Sequence, residues 1–481
     1  MSITFEPAAS VAEGVRDGEY DPLEVVESVL ERIDERGDVT NAYVTVLHED
    51  ARRRAEEVRE RVEAGDELPL AGVPVGVKDL SHTKAGVRYT MGMKPLADNV
   101  AEETSAVVER LEAAGAIVVG TTNTPELGHR VRTNNKLVGP TATPFDPDRN
   151  AGGSSGGSAA ALADGLCTVA TGSDVGGSLR IPAACCGVVS VKPTHGLVPR
   201  TNRVNGYRGH TPVGVLGPMA RDVESLAIAL DVTAGADHCD PFSVPAPDDY
   251  RAAVAGPPDP STLRLAYSPT LSFLAVEPEV REAVEATLSA LRDAGATVEE
   301  VPLETPPKGD LTYAYTVAVT TYFATAVAEI DAALGGDLME DHGEDLPTSL
   351  HSIVSMGESH DVSEYARVDL PRTRLYHAVR EALEGYDALV CPTVATPPLT
   401  HDESLPTTID GESASGLPTD WSLAWPFNMT GHPVVNVPAE PVGGLPIGMQ
   451  LVGEPFSEAR LLGVARVVEE TYPWDYPGDG I

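Results

Sequence analysis

Residues 150–180, NAGGSSGGSAAALADGLCTVATGSDVGGSLR, contain two glycine-rich turns that each present a serine, Ser154 in the first and Ser178 in the second. Between the turns, GSAAALADG (157–165) predicts a short helix of small residues, and CTVAT (167–171) predicts a strand. Glycine-rich turns expose a hydroxyl together with backbone N–H groups, a combination that suits acyl transfer. No histidine lies within or beside these turns, so the stretch raises the question of which group accepts a serine proton.

The alternation of helix and strand continues along the chain and predicts a layered α/β architecture. Asp21 and Pro22 form an N-cap and first-turn pair that predicts a helix over 22–36. Further helices are predicted at 48–64, 278–294 and 457–471, and strands at 71–80, 116–120, 263–268, 296–303, 386–393, 433–438 and 446–453.

The chain is predicted to form one domain, residues 1–481. The Pro-rich stretch 240–260 and the polar stretch 396–420 are too short to be convincing linkers. Within the domain we expect a helical N-terminal arm at about 1–65, a core at about 66–230 and a mostly helical variable region at about 305–385.

Acidic residues dominate the charge of this chain. Asp and Glu total 73 against 34 Lys and Arg, a formal net charge of −39, and only six of the cations are lysines. A surface this acidic repels nucleic acid and anionic lipid. High acid content with little lysine resembles the composition of proteins from salt-loving organisms, including haloarchaea, in which salt screens the self-repulsion.

Other features of the sequence predict a cytoplasmic protein with reduced thiols. The N-terminus lacks a basic start and an apolar stretch typical of signal peptides, and no apolar run reaches 18 residues. The five cysteines match no disulfide or zinc spacing, so we expect neither a metal nor a cofactor.

Several short patterns suggest other classes of enzyme. Gly152-x-Ser154-x-Gly156 matches the nucleophile elbow of α/β-hydrolases, but a proline-rich loop precedes it where that fold requires a strand. Ser81 and Lys84 match the SxxK pattern of penicillin-recognising enzymes without its partner motifs. A phosphate-binding loop would need Gly-Lys-Ser/Thr, which is absent. A flexible Gly/Ser linker would not lie between a predicted strand and helix.

Two kinds of side chain are candidates for the proton acceptor. Histidines of the central region are one kind, although none has a sequence cue: His82, His129, His195 and His210. Lys78 is the other, since it lies in the apolar stretch GVPVGVKDL, where a charge is costly to bury unless it is paired or neutralised. An ion pair between Lys78 and Asp79 or another carboxylate is the alternative interpretation.

At this point the chain resembles the amidase signature hydrolases. The motifs that carry the resemblance run in order over most of the sequence: GVPVGVKDL, GTTNTPELG, NAGGSSGGSAAALADG, ATGSDVGGSLRIPAACCGVVSVKPTHG, GPMARDVESLA, LVCPT, WPFNMTGHPVVNVP and PIGMQLVG. The resemblance implies a single domain with a central mixed β-sheet flanked by layers of helices. It also implies a Ser–Ser–Lys triad whose middle serine follows a cis peptide bond.

Carried onto this sequence, the resemblance makes Ser178 the nucleophile, Ser154 the relay and Lys78 the base. The expected oxyanion donors are the backbone N–H groups of Val175, Gly176, Gly177 and Ser178. Ser155, Asp174 and Arg180 are expected to support the loop. Elementary chemistry agrees, because desolvation lowers the lysine pKa from about 10.4 by several units, and a hydroxyl can accept one hydrogen bond while donating another.

The resemblance leaves three functions open. An amidase acting on a small-molecule carboxamide is favoured, with no nucleic acid or membrane partner and possibly as a homodimer. The glutaminase subunit of a tRNA-dependent amidotransferase is the second, but the segment 345–361 lacks an arginine for the glutamine carboxylate, and Asp420 is one residue out of register for its amine. A catalytically silent scaffold is the third.

The aromatic residues of YAYTVAVTTYF (313–323) could belong to a core or to a pocket wall. Tyr313, Tyr315, Tyr322 and Phe323 have spacings that place some of them on one helical face, and a stripe of this kind is more often core than pocket.

Overall fold

A computed structural model describes residues 3–202, 204–210 and 213–477, and its centre is an eleven-stranded mixed β-sheet. The strands are β1 (Tyr43–Val46), β2 (Pro74–Lys78), β3 (Ile117–Thr122), β4 (Val169–Asp174), β5 (Val189–Lys192), β6 (Val215–Ala220), β7 (Arg264–Tyr267), β8 (Thr297–Glu300), β9 (Ala388–Pro392), β10 (Val434–Val442) and β11 (Leu445–Val452). Their order across the sheet is β1-β3-β2-β4-β6-β5-β10-β11-β9-β7-β8.

Seventeen α-helices surround the sheet in the described residues. They are α1 (Ala8–Arg16), α2 (Pro22–Thr40), α3 (His48–Glu63), α4 (Ala106–Ala113), α5 (Gly156–Ala163), α6 (Arg180–Cys186), α7 (Val223–Thr233), α8 (Tyr250–Ala255), α9 (Pro278–Asp293), α10 (Lys308–Leu334), α11 (Leu338–Asp341), α12 (Thr348–Ser359), α13 (Val362–Arg367), α14 (Asp369–Leu383), α15 (Pro418–Trp421), α16 (Trp425–Thr430) and α17 (Glu458–Thr471). Short 3-10 helices and three two-stranded ribbons complete the described structure.

The sheet is mixed because two groups of parallel strands are joined by antiparallel ones. Strand β2 runs parallel to both of its neighbours, β3 and β4, and β7 runs parallel to β8 and β9. The remaining pairs are antiparallel. One hydrophobic core extends from Ala8 in α1 to Val468 in α17, which confirms the predicted single-domain α/β fold. The internal boundaries predicted for the arm and the core stay predictions.

Helix α2 shows how local sequence sets these elements. The Asp21 side chain accepts a hydrogen bond from the Leu23 N–H at 2.8 Å, and Pro22 occupies the first turn, as predicted. The helix continues through Gly37 to Thr40, four residues beyond the prediction, and ends where Asn41 adopts a left-handed conformation with φ of 50°. Asn41, rather than the earlier glycine, therefore ends the helix.

The predicted variable region is helical from α10 to α14. By length and hydropathy alone, α10 is the one helix of the described residues that could cross a membrane. In the structure it packs against α12, α13 and α14, and one of its faces is buried by Leu311, Ala318 and Val327. Core packing therefore accounts for the apolar character of α10 that the membrane criterion detects.

Candidate active site

Lys78 lies at the end of β2 and is fully buried. Its Nζ donates hydrogen bonds to Ser154 Oγ at 2.8 Å and to Ser173 Oγ at 2.9 Å. Neighbouring Asp79 does not pair with Lys78, because its carboxylate accepts from the Thr90 N–H at 3.0 Å. The alternative interpretation of Lys78 as half of an ion pair with Asp79 is therefore wrong, and the amine faces two hydroxyls.

The environment of Lys78 favours the neutral amine. Burial lowers the pKa of Lys78 to about 7, the nearby Asp174 carboxylate opposes this shift, and Arg200 adds to it. An amine with this pKa is substantially unprotonated at neutral pH, so it can accept a proton.

The histidines do not compete for this role. Burial lowers the pKa of His82 to about 3 and that of His129 to about 4. Burial lowers the pKa of His195 to about 4. None of these three rings lines the cavity that contains Ser178, and the side chain of His210 lies outside the described part of the chain.

The two serine turns pack directly against each other. The Gly153–Ser154 peptide bond is cis, and Ser154 lies just before α5. The Ser155 N–H donates to the Ser178 carbonyl oxygen at 3.2 Å, and the Ser155 hydroxyl lies 3.4 Å from the Ser173 carbonyl oxygen. Ser155 therefore connects the first turn to the second, consistent with the predicted role in loop support.

A buried ion pair holds the shape of the second turn. Asp174 accepts hydrogen bonds from Arg180 Nε at 3.0 Å, from the Gly177 N–H at 2.7 Å and from the Leu179 N–H at 3.1 Å. Asn428 Nδ2 adds a further bond at 2.8 Å. Burial alone would raise the pKa of Asp174, but Arg180 and these donors hold it well below its usual range, so the carboxylate stays charged.

This network corrects one of the four predicted oxyanion donors. The Gly177 N–H is already engaged with Asp174 Oδ1. The N–H groups of Val175, Gly176 and Ser178 have no acceptor within the part of the chain that the structure describes. Three donors are therefore free to bind an oxyanion, and Gly177, with φ of 112°, supplies a backbone conformation that favours glycine.

A cavity of about 580 Å³ opens onto the turns. Ser154, Ser173, Ser178 and Val175 all line it, whereas Lys78 lies behind the serines. A cavity of this size is typical of small-molecule sites. Both serine hydroxyls of the predicted triad are therefore accessible from one space.

The predicted aromatic stripe of α10 divides between core and pocket. Tyr315 is buried and packs against Trp425 with ring centroids 5.1 Å apart. Tyr322 and Phe323 line the cavity, and Tyr313 is 53% exposed. A Cβ on Gly176 would lie 1.9 Å from Tyr315 Oη, so α10 contacts the second turn directly.

Sequence reasoning missed two residues of this site. Ser173 lies in β4, five positions before Ser178, and its only sequence signal is that it neighbours the second turn. Arg200 lines the cavity from a loop and influences the pKa of Lys78, and nothing in the local sequence identifies it.

The Asp174–Arg180 pair makes a stability prediction. Asp174→Asn leaves the Arg180 guanidinium buried without its counter-charge, which we expect to lower the free energy of unfolding by about 3–5 kcal/mol. Chemical denaturation measures the change. Asp345→Asn, which removes the partner of exposed Lys94, is the control and should change little. An Asp174→Asn variant as stable as the parent would contradict the structural role.

Comparison with known proteins gives consistent matches. The family model described as Amidase matches residues 24–462. An acylamidase from Rhodococcus erythropolis is 35% identical over 474 residues, which covers 97% of this chain and 95% of that protein. A glutamyl-tRNA(Gln) amidotransferase subunit from Thermosynechococcus vestitus (strain NIES-2133 / IAM M-273 / BP-1) is 36% identical over 482 residues, covering 95% and 96%. A bacterial aryl acylamidase of the amidase signature family superposes with a TM-score of 0.91 at 30% identity, covering 98% and 97%.

Proposed function

Because this chain belongs to the amidase signature family of hydrolases that act on C–N bonds, we propose that it cleaves a carboxamide through an acyl-enzyme on Ser178. The products are a carboxylic acid and ammonia or an amine. The observation that carries the proposal is the buried Lys78 amine, 2.8 Å from Ser154 Oγ, behind the cavity that Ser178 lines.

In the first half of the reaction, neutral Lys78 accepts the Ser154 proton while Ser154 accepts the proton of Ser178. The Ser178 oxygen attacks the amide carbon, and the resulting oxyanion accepts hydrogen bonds from the N–H groups of Val175, Gly176 and Ser178. The proton on Lys78 then returns through Ser154 to the departing nitrogen as the C–N bond breaks. In the second half, water gives its proton to the same relay and attacks the acyl-enzyme, which releases the acid and restores Ser178.

Ser173 and the Asp174–Arg180 pair support this sequence of steps. Ser173 Oγ accepts the second hydrogen bond of Lys78 Nζ, which fixes the direction of the amine. Asp174 positions the turn that carries Ser178 by binding the N–H groups of Gly177 and Leu179. These roles require no metal or cofactor, because this chain's own side chains move every proton.

A glutaminase subunit is the second candidate, since the Thermosynechococcus relative belongs to an amidotransferase. Asp420, the candidate acid for a glutamine amine, instead pairs with Lys308 Nζ at 2.5 Å and does not line the cavity. Arg200 and Arg208 do line it, but Arg208 is paired with Glu329 at 2.8 Å. The acid expected to recognise glutamine is therefore not placed in the cavity.

Ammonia or amine release by the purified chain tests the choice between these functions. We expect hydrolysis of simple amides without tRNA, ATP or a partner protein, and little activity on glutamine. Activity that needs a partner protein and glutamine would instead establish the glutaminase function.

The pKa of Lys78 predicts the pH dependence. The base must be unprotonated, so kcat/KM for an amide should rise with pH through about 7 and level off above it. Initial rates between about pH 5 and 9 measure the profile. A rate that falls as the pH rises through 7 would contradict the role of Lys78 as base.

The net charge of −39 leads us to propose a requirement for salt. We expect folding and activity to need about 1 M KCl, where the Debye length is about 3 Å and self-repulsion is screened. Circular dichroism and amide hydrolysis in dilute buffer check this expectation. A folded, fully active enzyme at low salt would rule out the halophilic interpretation.

A further inference from the structure

One face of α10 forms a long wall of the cavity. The residues that line it recur at the spacing of a single helical face: Tyr322, Phe323, Ala326, Ile330, Ala333 and Leu334. Twelve residues of α-helix extend about 18 Å at 1.5 Å per residue. The cavity is therefore elongated along the helix axis.

The opposite wall is also apolar, since Leu80, Met91 and Leu96 line it. The acidic residue of the α10 face, Glu329, has its partners within the protein: Arg208 at 2.8 Å, Asn202 at 3.1 Å and Asn205 at 3.0 Å. Its carboxylate is thus satisfied without a ligand. We call the space between these two walls the apolar channel.

The apolar channel runs from the serine turns to the surface. At the inner end, Tyr322 Oη and Val175 Cγ2 both lie 3.3 Å from the position that a Cβ on Gly214 would occupy, so α10 begins its contact with the channel beside the second turn. At the outer end, Leu334 is 51% exposed and Val100 is 52% exposed. Exposed apolar side chains at the rim of a cavity, on a chain with a net charge of −39, indicate a surface that binds apolar groups.

Resting on the proposed function, we infer that the substrate is an amide with an elongated, uncharged apolar group that lies along α10 between the serine turns and Leu334. An alkyl chain and linked aromatic rings share this chemistry. Removal of such a group from water is the main favourable contribution to binding that these walls offer. Compact, zwitterionic glutamine would leave most of the apolar channel empty.

Two substrate series test this inference on the purified full chain. One lengthens the acyl group of a p-nitroanilide from acetyl through butanoyl and hexanoyl to octanoyl, and the other lengthens the amine of an N-substituted acetamide through alkyl and biphenyl groups. In at least one series, kcat/KM should rise by up to about fourfold per added methylene until the channel is filled. The biphenyl arm distinguishes aromatic from alkyl occupants.

Variants of α10 show whether the apolar channel causes the length dependence. Ala326 is buried and lines the channel, so Ala326→Phe should reduce the ratio of long-chain to acetyl kcat/KM by at least about tenfold. Ala328 is exposed on the same helix and does not line the channel, so Ala328→Phe should leave the ratio unchanged. If Ala326→Phe does not fold, Ala333→Phe at the exposed outer end should impair only the longest substrates.

Rates that stay flat or fall with length in both series, or a ratio that the folded lining variants do not change, would overturn the inference. Such a result would leave the proposed function intact if the acetyl anilide is hydrolysed and Ser178 is acylated. Absence of hydrolysis of every amide, together with absence of acylation at Ser178, would instead refute the proposed function itself.

Discussion

Ser178→Ala is expected to lower amide hydrolysis by on the order of 10⁶-fold and to leave no residue for a serine-directed fluorophosphonate to label. The variant removes the oxygen that forms the acyl bond, and no other group of the site replaces it. The structure supports this choice of nucleophile because Ser178 lines the cavity and belongs to the turn whose free N–H groups are those of Val175, Gly176 and Ser178 itself. Mass spectrometry of the labelled protein identifies the modified serine.

Ser154→Ala is the informative comparison. Ser154 Oγ is bound to Lys78 Nζ at 2.8 Å and in our proposal only passes a proton, which a water molecule can partly replace. We expect this variant to lose on the order of 10²- to 10⁴-fold in rate but still to be labelled at Ser178. If the label is found on Ser154 or Ser155, and Ser178→Ala is still labelled, the assignment is wrong and the Gly152-x-Ser154-x-Gly156 elbow becomes the better interpretation.

Lys78→Met is expected to slow amide hydrolysis by on the order of 10²- to 10⁴-fold, and to slow the matched ester less. Methionine keeps most of the volume of the buried side chain and removes the amine. An amine leaving group must be protonated as it departs, whereas a phenoxide needs less help, so the ratio of ester to amide kcat/KM should increase. The pH dependence through about 7 should also disappear, since that pKa belongs to Lys78.

The chain offers a matched control for this substitution. Lys192, at the end of β5, is also buried, and burial lowers its pKa to about 7. Its Nζ donates to the Pro193 carbonyl oxygen at 3.1 Å, and it does not line the cavity. Lys192→Met therefore reports the general cost of replacing a buried lysine, and it should preserve the ester-to-amide ratio. An equal change in that ratio in both variants would contradict a specific role for Lys78.

The effects of these substitutions should not add. Lys78, Ser154 and Ser178 act as one unit in the proposed mechanism, so the double variant Lys78→Met with Ser154→Ala should be about as slow as the slower single variant.

Much of the site could be predicted because its signals are local. The two glycine-rich turns, a serine in each, and a lysine within an apolar strand are all visible in short stretches of sequence. Local order in the chain therefore determined the α/β alternation, the identities of Lys78, Ser154 and Ser178 as candidates, and the family that the motifs resemble.

Tertiary structure decided how these candidates meet. Lys78 and Ser154 are 76 positions apart, and they come together because β2 and β4 are parallel neighbours while the first turn leads through α5 into β4. Only this packing shows that Lys78 faces two hydroxyls and not Asp79, because burial and hydrogen-bond partners depend on distant strands.

The remaining features depend on side-chain geometry that no local pattern encodes. The Gly177 N–H is lost as an oxyanion donor because Asp174 turns back to accept it, and Ser173 joins the site because its side chain points from β4 toward Lys78. The apolar channel exists because α10, from a region with no motif, places one helical face opposite Leu80 and Met91. Sequence alone thus determined the reacting groups, whose chemistry is carried by residue type, whereas the fold decided their partners and the shape of the space that a substrate would fill, because both depend on contacts between elements far apart in the chain.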